Sequence, residues 1–139
     1  MDIEGGCLCG AVRYKISGEL LRHVICHCRD CQRASGSAFH VGVVIARKDF
    51  ALLRGALKTY RRIGDSGRWL DRAFCPQCGS GILHELELRP DSIVIKAGTL
   101  DNPTIVKPTY EIFVQSKHPW LSVSGETTKL EGTVNQPSR

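Results

Sequence analysis

Seven cysteines in three short clusters constrain this chain more than any other feature. They fall at Cys7 and Cys9, at Cys26, Cys28 and Cys31, and at Cys75 and Cys78. An odd count leaves one thiol over from any closed disulfide framework. The first residues, Met1-Asp2-Ile3-Glu4-Gly5-Gly6, are acidic and lack an apolar segment, so they do not read as a secretory signal. A cytoplasmic, reducing location is therefore expected. Disulfides are rare there, and close cysteine pairs serve as metal ligands. With 139 residues and 6% aromatics, the chain can build one domain with a modest aliphatic core. A structural metal would add its binding free energy to folding. No apolar run approaches the roughly 20 residues of a membrane helix, so no membrane partner is expected.

The spacings say how the cysteines could be used. In Cys75-Pro76-Gln77-Cys78-Gly79, cysteines at i and i+3 present both sulfurs across a tight turn. Pro76 presets the turn, and Gly79 permits a positive φ. In Cys7-Leu8-Cys9-Gly10, residues i and i+2 on an extended chain point to the same side. The two pairs together make a closed four-cysteine site of the tetrahedral kind that structural zinc takes, although spacing alone leaves other pairings open. In Cys26-His27-Cys28-Arg29-Asp30-Cys31, three thiolates can converge with no fourth cysteine. Structural zinc sites are closed and catalytic ones keep a position open, so chemistry is expected at this trio. Three alternatives stay open: a histidine completing a second structural site, a site left empty, or iron in place of zinc.

His27 lies between two ligands and should face away from the metal. His40, His84 and His118 have no pairing motif and read as ordinary sheet or surface histidines, and His23 lies on the wrong alternation. Gly36 and Gly42 read as strand-end glycines. Nineteen Lys and Arg against fourteen Asp and Glu give a formal charge of +5, which seven thiolates around two divalent metals reduce to +2. Nucleic acid is therefore not an expected partner. Arg61-Arg62 with Lys58 and Arg68 reads as a solvated hairpin.

The rest is short strands between Gly, Pro and Asp turns. Strands are expected near 12–16, 20–28, 39–46, 82–88, 92–97 and 109–114. Segments 57–63 and 68–74 should form a hairpin around Gly64-Asp65-Ser66-Gly67. Residues 29–35 can make one or two helical turns. Phe50, Leu53, Leu57 and Tyr60 have helical spacing, but Gly55 interrupts them, leaving helix and turn-plus-strand open. The whole reads as a mainly β, antiparallel domain over residues 1–128 with metal knuckles in its connections, very little helix, and a polar tail at 129–139.

Gly6-Cys7-Leu8-Cys9-Gly10, the run from Cys26 to Arg33, and Phe74-Cys75-Pro76-Gln77-Cys78-Gly79 resemble the glutathione-dependent formaldehyde-activating enzyme family, which also includes centromere protein V. Lys96-Ala97-Gly98-Thr99-Leu100-Asp101, Glu111-Ile112-Phe113 and Trp120 fit the same likeness, which spans residues 5–120. The resemblance implies an antiparallel β-tent with two zinc ions. Cys7, Cys9, Cys75 and Cys78 would hold the structural ion, and Cys26, Cys28 and Cys31 the catalytic one. It implies a carbon–sulfur lyase type activity that joins a thiol such as glutathione to formaldehyde or a similar small aldehyde, giving S-(hydroxymethyl)glutathione. A substrate thiol would take the open position and react as thiolate. Three protein thiolates weaken the zinc as a Lewis acid, so thiol activation is favoured over carbonyl polarisation. The proton for the new alkoxide would come from His40, His84 or water. Arg29, Arg33, Arg47, Lys48, Arg61 and Arg62 are available for the substrate carboxylates, unranked. The rival expectation is a non-enzymatic zinc-binding domain that recognises a protein or nucleic acid.

Overall fold

The computed structural model describes residues 2–123 and 125–134. Its elements run β1 (Asp2–Gly6), β2 (Arg13–Ser17), β3 (Arg22–Cys26), α1 (Arg29–Ser35), β4 (His40–Ala46), β5 (Phe50–Arg54), β6 (Lys58–Ile63), β7 (Trp69–Phe74), β8 (Gly81–Leu86), β9 (Arg89–Lys96), β10 (Tyr110–Ile112) and β11 (Thr128–Lys129). The chain is mainly β, as the turn-punctuated pattern requires. Two sheets form, β1-β2-β5 and the eight-stranded β11-β10-β3-β4-β9-β8-β7-β6. Pairing is antiparallel except at β10, which runs parallel to both β3 and β11. The helix-spaced residues at 50–60 lie on β5 and β6. Gly55, at φ 84°, turns between them, and a Cβ there would sit 2.3 Å from the Ala11 carbonyl oxygen. The expected hairpin joins β6 and β7 antiparallel, with Ile63 opposite Trp69 and Lys58 opposite Phe74, so Arg68 belongs to the turn.

The strand period of two divides the large sheet into two unlike faces. One face carries Val43, Ile45, Ala73, Leu83, Ile93 and Ile95, which pack with Val12, Tyr14 and Ile16 of the small sheet as the main core. Each Val, Ile and Leu among them contributes roughly 1.5–3 kcal/mol by leaving water. Tyr14 is fully buried, and its hydroxyl meets Thr99 Oγ1 at 2.7 Å. The other face carries Cys26, His40, Gly42, Val94, His84 and Arg72, and these line a cavity of about 550 Å³. A smaller cluster of Val24, Cys26, Cys31, Ile112 and Val134 closes one side of it, with Leu130 packed alongside. Chain beyond 129 therefore folds back onto the sheet. The last five residues of the expected polar tail, 135–139, lie outside the described residues. No helix among the described residues is long and apolar enough to cross a membrane.

Candidate metal centres

Cys7 and Cys9 occupy the turn between β1 and β2, and Cys75 and Cys78 the turn between β7 and β8. All four Sγ atoms lie within 4.8 Å of one another. Cys7 and Cys9 are 3.6 Å apart, and Cys9 and Cys75 are 3.9 Å apart. These separations are far from the ~2.05 Å of a disulfide and close to the ~3.8 Å edge of a tetrahedron with ~2.3 Å metal–sulfur bonds. The donor set therefore fits zinc. Gly79, at φ 78°, closes the knuckle by donating its N–H to the Cys75 carbonyl at 2.9 Å. Ser80, which its residue type did not flag, ties the two halves together. Its hydroxyl oxygen accepts from the Leu8 N–H at 3.0 Å and lies 3.2 Å from Cys78 Sγ. The Ser80 hydroxyl and N–H hold the Cys78 thiol down at about 5.

The second group is built at the junction of β3 and α1. Cys26 ends the strand, Cys28 caps the helix and Cys31 sits in its first turn. The Cys31 N–H donates to Cys28 Sγ at 3.3 Å, which folds the third sulfur back onto the first two. All three Sγ atoms lie within 4.8 Å of one another, and among the described residues no other Cys, His, Asp or Glu joins them. Cys26 and Cys31 are buried, Cys28 half-buried. Hydrogen bonds from Cys26 and Cys31 pull the Cys28 thiol down to about 2, while the same sharing pushes Cys26 up. The trio thus favours a thiolate, the form a metal needs. Arg72 adds positive potential at Cys28. Lys96, half-buried, is itself pushed down by burial while the three sulfurs favour its charge.

His27 is fully buried, and it is not among the residues whose donor atoms gather at the trio. Its Nε2 meets Glu111 Oε1 at 2.9 Å. Glu111 also accepts from Lys117 Nζ at 3.1 Å and from the Thr127 hydroxyl. Burial pushes this carboxyl up, yet the bonds from Thr127, His27 and Lys117 prevail and hold it at about 2. Gln32 Nε2 donates to the carbonyls of His27 at 2.8 Å and Ser116 at 3.1 Å, and its Oε1 meets His118 Nε2 at 2.9 Å. His118 is therefore bound into this wall. His40 and His84, expected as ordinary sheet or surface positions, are each 6% exposed and line the cavity with ring centroids 5.1 Å apart. Burial, then Lys96 and Arg72, lowers His40 to about 3. Gly42 is mid-strand, not strand-end: a Cβ there would lie 2.5 Å from Val94 Cγ1 and 2.8 Å from His40 Cε1. Gly36 ends α1 at φ 66°.

Of the six basic residues weighed for carboxylates, Arg29 and Arg62 line the cavity, joined there by Arg22, Arg68, Arg72 and Arg89. Arg33 and Lys48 are not among the lining residues, and Arg47 and Arg61 are engaged elsewhere. Arg47 pairs with Glu85 at 2.7 Å. Arg61 pairs with Asp71 at 2.7 Å and lies over Trp69, and Arg62 pairs with Asp30 at 2.8 Å. Arg72 could be found only through strand register, which sets it opposite His84.

Residues 2–116 match the family model of the glutathione-dependent formaldehyde-activating enzyme. Among solved structures, the chain is similar to a crystal structure of a Rhodobacter sphaeroides protein. The TM-score is 0.59 and the identity 24%, over 73% of this chain and 93% of the other, a likeness of fold.

Proposed function

The chain belongs to the glutathione-dependent formaldehyde-activating enzyme family, and from that premise we propose that it is a zinc-dependent enzyme of the carbon–sulfur lyase type that adds a glutathione-like thiol to formaldehyde or a similar small aldehyde. Cys7, Cys9, Cys75 and Cys78 would hold a structural ion, and Cys26, Cys28 and Cys31 a catalytic one. When bound at the trio, zinc supplies a fourth position at which a thiol is deprotonated near neutral pH. The observation that carries this reading is the cavity of about 550 Å³ that opens on these three sulfurs and on no completed fourth ligand among the described residues. That volume is of the size that encloses a small-molecule ligand.

The protein's own groups supply the remainder. Arg29 and Arg68 at the cavity wall suit the carboxylates of a tripeptide thiol, which guanidinium groups bind through paired hydrogen bonds. Arg72 and Lys96 lie beside the trio and offset the negative charge of three thiolates and an incoming fourth. Burial disfavours the charged form of both His40 and His84 at the cavity wall. The reading places the protein in a reducing, cytoplasmic setting, where close cysteines serve as metal ligands. A nucleic-acid module would need a contiguous basic surface, whereas Arg61 and Arg62 are already paired with Asp71 and Asp30. The test is exchange NMR on zinc-loaded protein with glutathione and formaldehyde. The proposal expects interconversion with S-(hydroxymethyl)glutathione well above the spontaneous rate, abolished in Cys28→Ser. A wild-type rate equal to the spontaneous one overturns it.

A further inference from the structure

We propose that the aldehyde taken by this site carries an apolar chain of several carbons, bound along a strip of aliphatic side chains that leads away from the three-cysteine group. The inference rests on the thiol–aldehyde reading above and names its second reactant. The strip follows from strand register. Cys26 stands opposite His40 on the β3–β4 ladder. Two residues further along, on the same face, Val24 stands opposite Gly42. Two further again, Val44 stands opposite Val94 of β9. At ~3.3 Å per residue, Val44 lies about 13 Å along the sheet from the row of Cys26. Leu70 of β7 stands opposite Leu86 of β8, and Leu88 follows that strand. All six of these aliphatic residues line the cavity. Val44, Val94, Leu70, Leu86 and Leu88 are half-buried, and the last four belong to neither core cluster. Their side chains therefore meet the cavity without being needed to hold the sheets together. His40, His84 and Arg72 are polar groups on the same face.

The anchors for carboxylates stand on a different wall. Arg29 begins α1 next to Cys28, and Arg68 belongs to the turn between β6 and β7. Arg62 Nε donates to Asp30 Oδ2 at 2.8 Å, which ties the end of β6 to α1 and keeps these two anchors on one side of the cavity. A thiol with carboxylates is thus held from α1 and the turn, and the aliphatic strip is left for the other reactant. Formaldehyde has a single carbon and would leave the strip in water, which apolar surface disfavours. An alkyl chain displaces that water, and small-molecule sites are lined in this way, mostly apolar with a few placed polar groups. The chain leaves the chemistry as it is. The thiol S–H bond breaks, a sulfur electron pair forms the new C–S bond, and the C=O π pair moves onto oxygen. The proton ends on that oxygen, giving a hemithioacetal, with no oxidant or further reactant.

The experiment follows zinc-loaded wild type by exchange NMR with glutathione and, in turn, formaldehyde, propanal, hexanal and octanal. The catalysed kcat/KM, taken relative to the spontaneous rate for each aldehyde, should rise roughly fourfold per methylene from propanal to hexanal, as the burial of one CH₂ group implies. Val94→Thr, which exchanges a methyl for a hydroxyl, should lower the hexanal-to-propanal ratio several-fold, and an unchanged ratio in the folded variant overturns the inference. A flat dependence on chain length, with formaldehyde turned over well above the spontaneous rate, overturns it while leaving the proposed function standing. A dependence that follows the chain of alkanethiols paired with formaldehyde, and not that of the aldehyde, assigns the strip to the thiol and overturns it as well. No turnover of any aldehyde above the spontaneous rate removes both. If Val94→Thr does not fold, methyl NMR of wild type decides, with 1-hexanol and 1-propanol as the probes. Hexanol should shift the Val44 and Val94 methyl signals at concentrations where propanol does not, and methyls that hexanol leaves unmoved overturn the inference.

Discussion

Gly42 leaves empty the space into which the His40 ring and Val94 already pack. A methyl group there would meet atoms at 2.5 and 2.8 Å, closer than carbon atoms approach. Gly42→Ala should therefore displace the His40 ring and cost about 1–3 kcal/mol, as overpacking does. Chemical denaturation together with the histidine NMR spectrum checks it, and an unchanged midpoint with unmoved His40 signals would refute the packing account. Glu111 poses a different problem, a carboxylate with no exposed surface beside His27, Lys117 and Thr127. Its folded value of about 2 lies below the ordinary ~4.3 of a glutamate. A lowered acid contributes stability above the unfolded value and loses it as pH falls through the folded one. Glu111→Gln should thus cost about 2 kcal/mol at pH 7, and the gap to wild type should close between pH ~4.5 and ~2. Metal loss in acid is common to both proteins and cancels in the difference. A gap that stays constant down to pH 2 would show that the charge on Glu111 does not stabilise the fold.

The short helix α1 has seven residues, too few to be stable alone, and is held at its start by a cysteine. Cys28 acts there as helix cap, with its sulfur accepting the Cys31 N–H. Serine is among the best caps, so Cys28→Ser keeps the helix start while removing one soft ligand. One of two metal equivalents should be lost, with a far-UV spectrum like that of wild type. Metal analysis and circular dichroism decide, and retention of both equivalents would contradict the trio as a site. The cysteine spacings and the helix at 29–35 were legible in the sequence because cap, turn and ligand chemistry are local. Residues 50–60 were not, because apolar spacing fits helix and paired strands alike until Gly55 meets Ala11 from a distant turn. Gly42 and His84 escaped for the same reason. Their places on the cavity wall follow from β8, β9 and β4 lying side by side, a non-local fact. The parallel pairing of β10 with β3 is likewise invisible in three residues of strand.

At the scale of the whole molecule the two cysteine groups lie in unlike mechanical positions. The four-cysteine group joins a turn of the small sheet to a turn of the large one, so an ion held there would staple the two layers whose apolar faces form the core. The three-cysteine group lies on the opposite face of the large sheet, where it borders a cavity rather than an interface between layers. A chelator reaches the trio through that cavity without separating the sheets, whereas emptying the staple must loosen them. Titration of the two-zinc protein with a strong chelator should therefore release metal in two phases. The first equivalent should leave with the NMR signals of Tyr14, stacked on Phe50 at 5.6 Å in the core, unchanged. The second should leave together with those signals and with cooperative folding, because binding energy at a structural site is folding energy. Cys78→Ser should reproduce the second state without chelator. Release of both equivalents in one phase, or a Cys78→Ser protein that melts like wild type with two metals bound, would show that the sheets are held by their core alone.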